Sequence, residues 1–427
     1  MSELLMPVLT VIGTMIMIVQ LMDYLKEGRI KRFRADYRSL SNGRYIYSMR
    51  MFYEYKALSK VGTGSEYLLS ENRWMPEEPI RLEKGHNLTE PGLEIVKLVP
   101  EQDSEKGCKD ARRRVRHSAF ADWRFYRMFP DVSILGSDYV DNMRRYLDKG
   151  IFSGKIGRMV KVDCGPPIEI RVAESDYFDY CNTCEFIALH AVQEINREKD
   201  RRFERGPTKI GRKCCLKDPF NGDNRCVGIG INTLTILKNI DRKSYFLIHR
   251  RSDVVNEAMN ATSLVPCGSY QFDTGQENRE QDDTDNIHNI IKDIYREFEE
   301  EIKGVSEVEY TAHYSIPPEY DQFDYHFLGM GLDPLTTKLE IITCMVTDVR
   351  DNSFFKITNS DRKTMHKEGK NEADIILGKI HPNSEGSIEL VEFNEKNLEL
   401  HQNDMKAMPL YREAMRLALK FSDDLLR

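Results

Sequence analysis

Residues 296–304 read Arg296-Glu-Phe-Glu-Glu-Glu-Ile-Lys-Gly304, and they close a run from about Asn286 to Ile302 whose apolar residues recur at helical spacing. Ile290, Ile291, Ile294, Tyr295 and Phe298 make one stripe, which predicts a helix with that side in the core and a stop at Gly304. Glu297, Glu300 and Glu301 stand at i, i+3 and i+4, so the same helix stacks three carboxylates on another side. Like charges at that spacing repel unless something cationic lies between them. Hard divalent cations such as Mg²⁺ or Mn²⁺ take oxygen ligands of this kind; a solvated acidic face is the plain alternative. Arg296 can brace the carboxylates with bidentate bonds that a lysine would not reproduce as rigidly.

Upstream, Val227-Gly-Ile-Gly-Ile-Asn-Thr-Leu-Thr-Ile-Leu237 and Ser244-Tyr-Phe-Leu-Ile-His-Arg-Arg251 are apolar, β-branched runs separated by a polar link, which predicts a hairpin. Gly228-x-Gly230 lacks the third glycine and the following helix of a dinucleotide fingerprint, and lets the sheet bend or backbone approach a partner. Arg250 and Arg251 leave the second strand at the same sheet end, where one of them can grip a phosphate, and His249 is a strand residue or a participant. Leu264-Val-Pro-Cys-Gly-Ser-Tyr-Gln271 carries a glycine turn, and the polar stretch 273–286 that follows is an exposed loop. Downstream, residues 327–342 lead into an apolar strand that begins with Glu340, read equally as an edge charge or as a further site oxygen or base. Short strands are expected in 354–358 and 387–393, a short apolar element at 374–378, and an amphipathic helix over 408–426 that covers the sheet.

The glycine turn before Arg296-Glu-Phe-Glu-Glu-Glu-Ile-Lys-Gly304 resembles the box of the Nudix hydrolases, in particular a divergent subgroup of large Nudix-like proteins in which the box is interrupted. The resemblance covers roughly 224–350. It implies that Gly268 is the leading glycine, that Arg296 braces loop and helix, and that Glu297, Glu300 and Glu301 hold Mg²⁺ or Mn²⁺. Glu340 would add a ligand or base, and Gly268, Arg250 and Arg251 would line the bound nucleotide. The implied activity is metal-dependent hydrolysis of a nucleoside diphosphate linked to another moiety, with a nucleotide sensor of little turnover as the alternative. His288 stands where the family has an upstream glutamate, the spacing from Gly268 to Arg296 is longer than in the family, and Lys303 is inserted before Gly304.

At the other end, residues 4–22 carry no charge, and Lys26, Arg29, Lys31, Arg32 and Arg34 follow closely. The stretch is long enough to cross roughly 30 Å of hydrocarbon as a helix, and the basic flank orients the bulk of the chain to the cytoplasm. The competing reading is a buried first helix or a protein contact. A formal charge of −7 over 427 residues argues against general nucleic-acid binding. The nine cysteines are odd in number; Cys181-x-x-Cys184 with adjacent Cys214 and Cys215 is a poor zinc set, so the thiols are taken as buried or incidental.

The interval 31–222 holds the arginine run 109–114, an aromatic and arginine stretch at 117–129, a short helix over 137–150, and a strand from Pro167 to Val172 followed by a helix entered near Ser175. Its role is left open: it binds a signal, shapes the pocket or joins copies into a homo-oligomer. The expected organisation is a 1–30 anchor, a 31–222 accessory region and a 223–427 Nudix-like domain. In fold class this is α+β: an N-terminal transmembrane helix, a mixed α/β region, then a Nudix-like α/β/α sandwich.

Overall fold

The computed structural model describes residues 14–15, 17–24, 27–28, 30–44, 73–82, 96–100, 139–147, 153–163, 168–189, 191–192, 222, 225–252, 260–271, 286–305, 318–333, 335–381 and 386–427. The arginine run 109–114 and the stretch 117–129 lie outside them. Twelve strands of the described residues join in one sheet. In chain order they are β1 (Arg73–Trp74), β2 (Ile80–Leu82), β3 (Val96–Pro100), β4 (Lys155–Asp163), β5 (Ile168–Asp176), β6 (Val227–Ile240), β7 (Lys243–Arg251), β8 (Thr262–Ser263), β9 (Cys267–Ser269), β10 (Asp324–Leu332), β11 (Leu339–Asp348) and β12 (Gly386–Glu392).

The apolar run that predicted a hairpin forms β6, the axis of the sheet. Asp241 and Arg242 both take positive φ, 48° and 65°, at the tight turn into antiparallel β7. One edge of β6 pairs in parallel with β11 from Leu339↔Ile229 to Asp348↔Lys238. Along the other edge β7, then β9, then β4 succeed one another. β10 continues the sheet beyond β11 and carries β1 and β2, while β5 and β3 extend it beyond β4.

Alternation along the central strands fills both faces. Ile229, Ile231 and Ile341 face the helix Asn286–Glu301, whose Ile290, Ile294 and Phe298 complete that core. Leu234, Ile236, Ile342 and Cys344 face Leu410, Ala414 and Leu417 of the helix Pro409–Lys420. Phe298 is buried among Tyr295, Phe323, Phe354 and Phe355, so it is core.

Two expectations are corrected. Among the described residues no helix is long and apolar enough to cross a membrane, so the N-terminal transmembrane helix is not found, and the single-pass, membrane-bound placement with a cytoplasmic bulk falls with it. The described helical residues 17–24 lead toward 30–44, where Lys31, Arg32 and Arg34 stand among Phe33, Tyr37 and Leu40, which are packed in the core. Residues 4–13 and 16 of that stretch lie outside the described residues. The second correction concerns the fold class, α+β with a mixed α/β region and then a Nudix-like α/β/α sandwich. The fold is instead mixed α/β on one large, mostly antiparallel sheet. β6 runs past its hairpin to Val227 and Gly228, and that free edge is taken by β4, just as the outer edge of β10 is taken by β1 and β2. Unpaired strand edges are satisfied by whatever strand lies nearest.

Candidate functional site

The acidic helix also lies on β9, with Glu297 and Glu301 beside its apolar stripe. A Cβ at Gly268 would come 1.8 Å from Glu297 Oε1 and 2.0 Å from its Cδ, so the Glu297 carboxylate fills the space that any other residue's side chain would need. Arg296, 6% exposed, ties turn to helix: it donates to Ser269 O at 3.3 Å, to Glu300 Oε1 at 3.1 Å, to Asp293 Oδ1 at 3.4 Å and to Glu297 Oε1. Burial opposes its charge, but Glu297, Asp293 and Glu300 outweigh burial and hold the guanidinium firmly ionised. Asp293, one turn before Glu297, is pushed up to about 7 by burial, against the pull of Arg296 and of the Gln271 amide that it accepts from at 3.1 Å.

Glu301 reaches the position where β9 replaces β7 beside β6. Its Oε2 accepts the Cys267 amide at 2.7 Å, and its Oε1 lies 3.8 Å from Cys267 Sγ and 3.9 Å from His249 Nδ1. Burial, reinforced by Glu301, pushes the Cys267 thiol well up and favours its protonated form. His249 is 1% exposed and, among the described residues, neither ring nitrogen has a hydrogen-bond partner; burial, then the neighbouring Arg251, lowers its pKa to about 4 and keeps it neutral.

A second glycine serves a second carboxylate. A Cβ at Gly230 would come 1.8 Å from Glu340 Oε2, and Glu340, across the parallel register from Gly230, accepts from Asn232 Nδ2 at 2.6 Å and pairs with Lys338 Nζ at 3.4 Å. By strand alternation Glu340, Gly230 and Asn232 share the face of the sheet turned away from Ile231, Ile341 and the acidic helix. Cys267 lies opposite Asn232 in the register, so Glu301, at its side chain, is the helix carboxylate that extends toward that face. The acids are spread around a strand edge rather than gathered at a point. Accordingly, among the described residues no group of three or more His, Cys, Asp or Glu side chains is placed to hold a metal ion.

The donor set itself suits a hard cation. Glu297, Glu300 and Glu301 offer only oxygen, and with Glu340 and Asp293 they outnumber the nearby cations Arg296, Lys338 and Arg251, an imbalance that a phosphate-bearing ligand would deepen unless a metal came with it.

Of the other expected residues, Arg251 turns inward, its Nη1 3.6 Å from Cys267 Sγ. Arg250 turns outward to Thr262, to Asp404 at 3.4 Å and to Glu389 at 3.4 Å, away from the acidic ridge. Tyr270 is core, with Gly157 of β4 against its ring. His288, which replaces the family's upstream glutamate, has no described side chain. Sequence reasoning passed over Asp293, Asn232, Lys338 and Cys267. Asp293 was legible as i−4 from Glu297 on the same helix side; the others join through strand register, which the sequence does not display.

Comparison with protein-family models and with curated proteins finds no match to this chain.

Proposed function

We propose that the chain binds a nucleoside diphosphate linked to another moiety at the ridge of Glu297, Glu300 and Glu301, together with Mg²⁺ or Mn²⁺, and hydrolyses the diphosphate in the manner of a Nudix hydrolase. The observation that carries this reading is the interlock of glycine turn and helix: Glu297 occupies the missing side chain of Gly268 while Arg296 donates to Ser269 O. That contact joins the two halves of the motif across an interrupting loop.

Glu300 and Glu301 are the first-choice ligands, with Glu297 as a further ligand or as base through water. When bound, a divalent cation supplies charge neutralisation at the leaving phosphate and a more acidic water. Arg296 holds the carboxylates in place through its buried fork. Glu340, fixed by Asn232 and Lys338, is a further oxygen or base on the side that Glu301 approaches.

A second reading, a nucleotide sensor with little turnover, is favoured by one observation. Arg296 takes up Glu297 and Glu300, and the Cys267 amide takes up Glu301, so each carboxylate already has a partner. The full chain decides between them when incubated with Mg²⁺ and a panel of diphosphate-linked nucleotides. Release of nucleoside monophosphate, lost in the Glu300→Gln, Glu301→Gln double variant, supports hydrolysis. Metal-dependent binding without product supports the sensor, and the absence of both removes the proposal.

A further inference from the structure

Lys338 is the cation of the site that no feature of the acidic helix explains, and it is built in from several directions. Only 9% exposed, it pairs with Glu340 at 3.4 Å and lies 5.7 Å from the centre of the Tyr180 ring, within the range of a cation–π contact. The turn that presents it is tied by hydrogen bonds. The Asp333 carboxylate accepts from Leu335 N at 2.9 Å, Thr336 N at 2.7 Å and Thr336 Oγ1 at 3.0 Å, while Asp333 N donates to Lys338 O at 2.8 Å. Thr337 takes φ +62°, a conformation costly for a β-branched residue, so the turn is held by these bonds rather than by local preference.

Tyr180 comes from the other part of the chain, at the end of the short helix Tyr177–Tyr180 that runs on into the π-helical turn Cys181–Glu185. Gly228 leaves room for its ring: a Cβ there would lie 3.1 Å from it. The Tyr180 hydroxyl donates to Glu185 Oε1 at 3.1 Å, and Glu185 is held by Arg44 at 2.9 and 3.0 Å in a buried pair with the N-terminal helical residues 30–44. A continuous set of contacts thus runs from Arg44 through Glu185 and Tyr180 to Lys338 and Glu340.

Burying a lysine is costly without a compensating anion, and Glu340, an anion paired with it, belongs to the candidate site. We propose that Lys338 is the anion-binding residue of this site, exchanging Glu340 for a phosphate oxygen of the ligand, and that Tyr180 is a positioning residue through which the 31–222 region sets the grip on that phosphate. The inference rests on the diphosphate reading above and adds to it the residue that holds the phosphate and the part of the chain that controls it.

The test uses the full chain and α,β-methylene-ADP with Mg²⁺, with dissociation constants from calorimetry. Lys338→Met weakens binding by roughly tenfold or more, as for loss of a charge-assisted bond, and Lys338→Arg stays near wild type. Tyr180→Leu weakens it roughly fivefold and has no further effect once Lys338→Met is present. Lys338→Gln repeats the loss of charge, so a folding defect in one variant leaves the other to decide. Wild-type affinity in both Lys338→Met and Lys338→Gln overturns the assignment of Lys338. Additive losses in the Tyr180 and Lys338 pair overturn the positioning role. Absence of binding by the wild-type protein instead removes the diphosphate reading, and this inference with it.

Discussion

Gly268→Ala probes the contact on which the site is built. The added methyl carbon would stand 1.8 Å from Glu297 Oε1 and 2.0 Å from Cδ. Non-bonded atoms in contact stand about 3.5–4.0 Å apart, so roughly 1.5–2 Å must be given up by one side. β9 is fixed by its pairing with β6 at Ile231↔Gly268 and its neighbours, whereas the carboxylate ends a flexible side chain, so Glu297 retreats. Its bond from Arg296 Nη2 is then lost or weakened. A charge-assisted bond of that kind contributes about 1.5–3 kcal/mol, which is roughly 10- to 150-fold in Mg²⁺-dependent affinity for α,β-methylene-ADP. Overpacking costs the fold about 1–3 kcal/mol. Calorimetry gives the affinity and thermal denaturation the stability. Gly154→Ala is the control, since nothing lies within 4 Å of a Cβ there, and it leaves both unchanged. Wild-type affinity in a folded Gly268→Ala protein would refute the reasoning.

Two buried groups, Asp293 and His249, give opposite pH slopes. Asp293 is raised from 3.8 to about 7, so its contribution to stability is present below pH 3.8 and is lost as pH rises to about 7; Asp293→Asn removes that decline. His249 is lowered from 6.5 to about 4, so its contribution is present above pH 6.5 and is lost as pH falls to about 4; His249→Leu removes that loss. Urea midpoints from pH 4 to 8 therefore rise with pH for Asp293→Asn relative to wild type and fall with pH for His249→Leu, and parallel curves would count against both assignments. Arg44→Met leaves Glu185 buried without its ion-pair partner and costs about 3–5 kcal/mol by denaturant unfolding, while adding Glu185→Gln recovers part of the loss; a change under about 0.5 kcal/mol would show that the pair is not buried in solution. Phe298→Ala costs about 3–5 kcal/mol, because its ring is closed in by Tyr295, Phe323, Phe354 and Phe355, and an unchanged midpoint would contradict that packing.

What the sequence disclosed follows from how local each signal is. The acidic helix was legible almost to the residue, expected from about Asn286 to Ile302 and found at Asn286–Glu301, because a 3.6-residue stripe needs no partner to be seen. β6 and β7 were legible as strands, but the turn was hidden: Asp241 and Arg242 adopt positive φ without the Asn-Gly signature, so residues taken as a polar link are strand. The strand expected in 354–358 is absent, and Asn352 Oδ1 accepts the amides of Phe354 and Phe355 at 3.0 and 3.1 Å in a turn that leads to irregular chain. The joining of β4 to Val227 and Gly228 was not legible at all, since strand pairing is long-range and leaves no mark in periodicity. In the site, Gly268 and Glu297 were paired by motif and meet in space. Glu340 was left undecided between edge charge and site residue, and it faces Asn232 and Lys338, partners that only the parallel register of β6 and β11 brings to it. The apolar stretch 4–22 suggested a membrane span, but no helix of the described residues is long and apolar enough to cross a membrane.

The account stands on the acidic ridge gathering a divalent cation beside the glycine turn. Mn²⁺ titration of the full chain, followed by the loss of the free-ion electron paramagnetic resonance signal with and without α,β-methylene-ADP, measures this directly. The expected result is saturable Mn²⁺ binding that the nucleotide tightens and that Glu300→Gln with Glu301→Gln abolishes while the fold persists. Mn²⁺ binding that is absent, or that is equal in wild type and in the double variant, contradicts it.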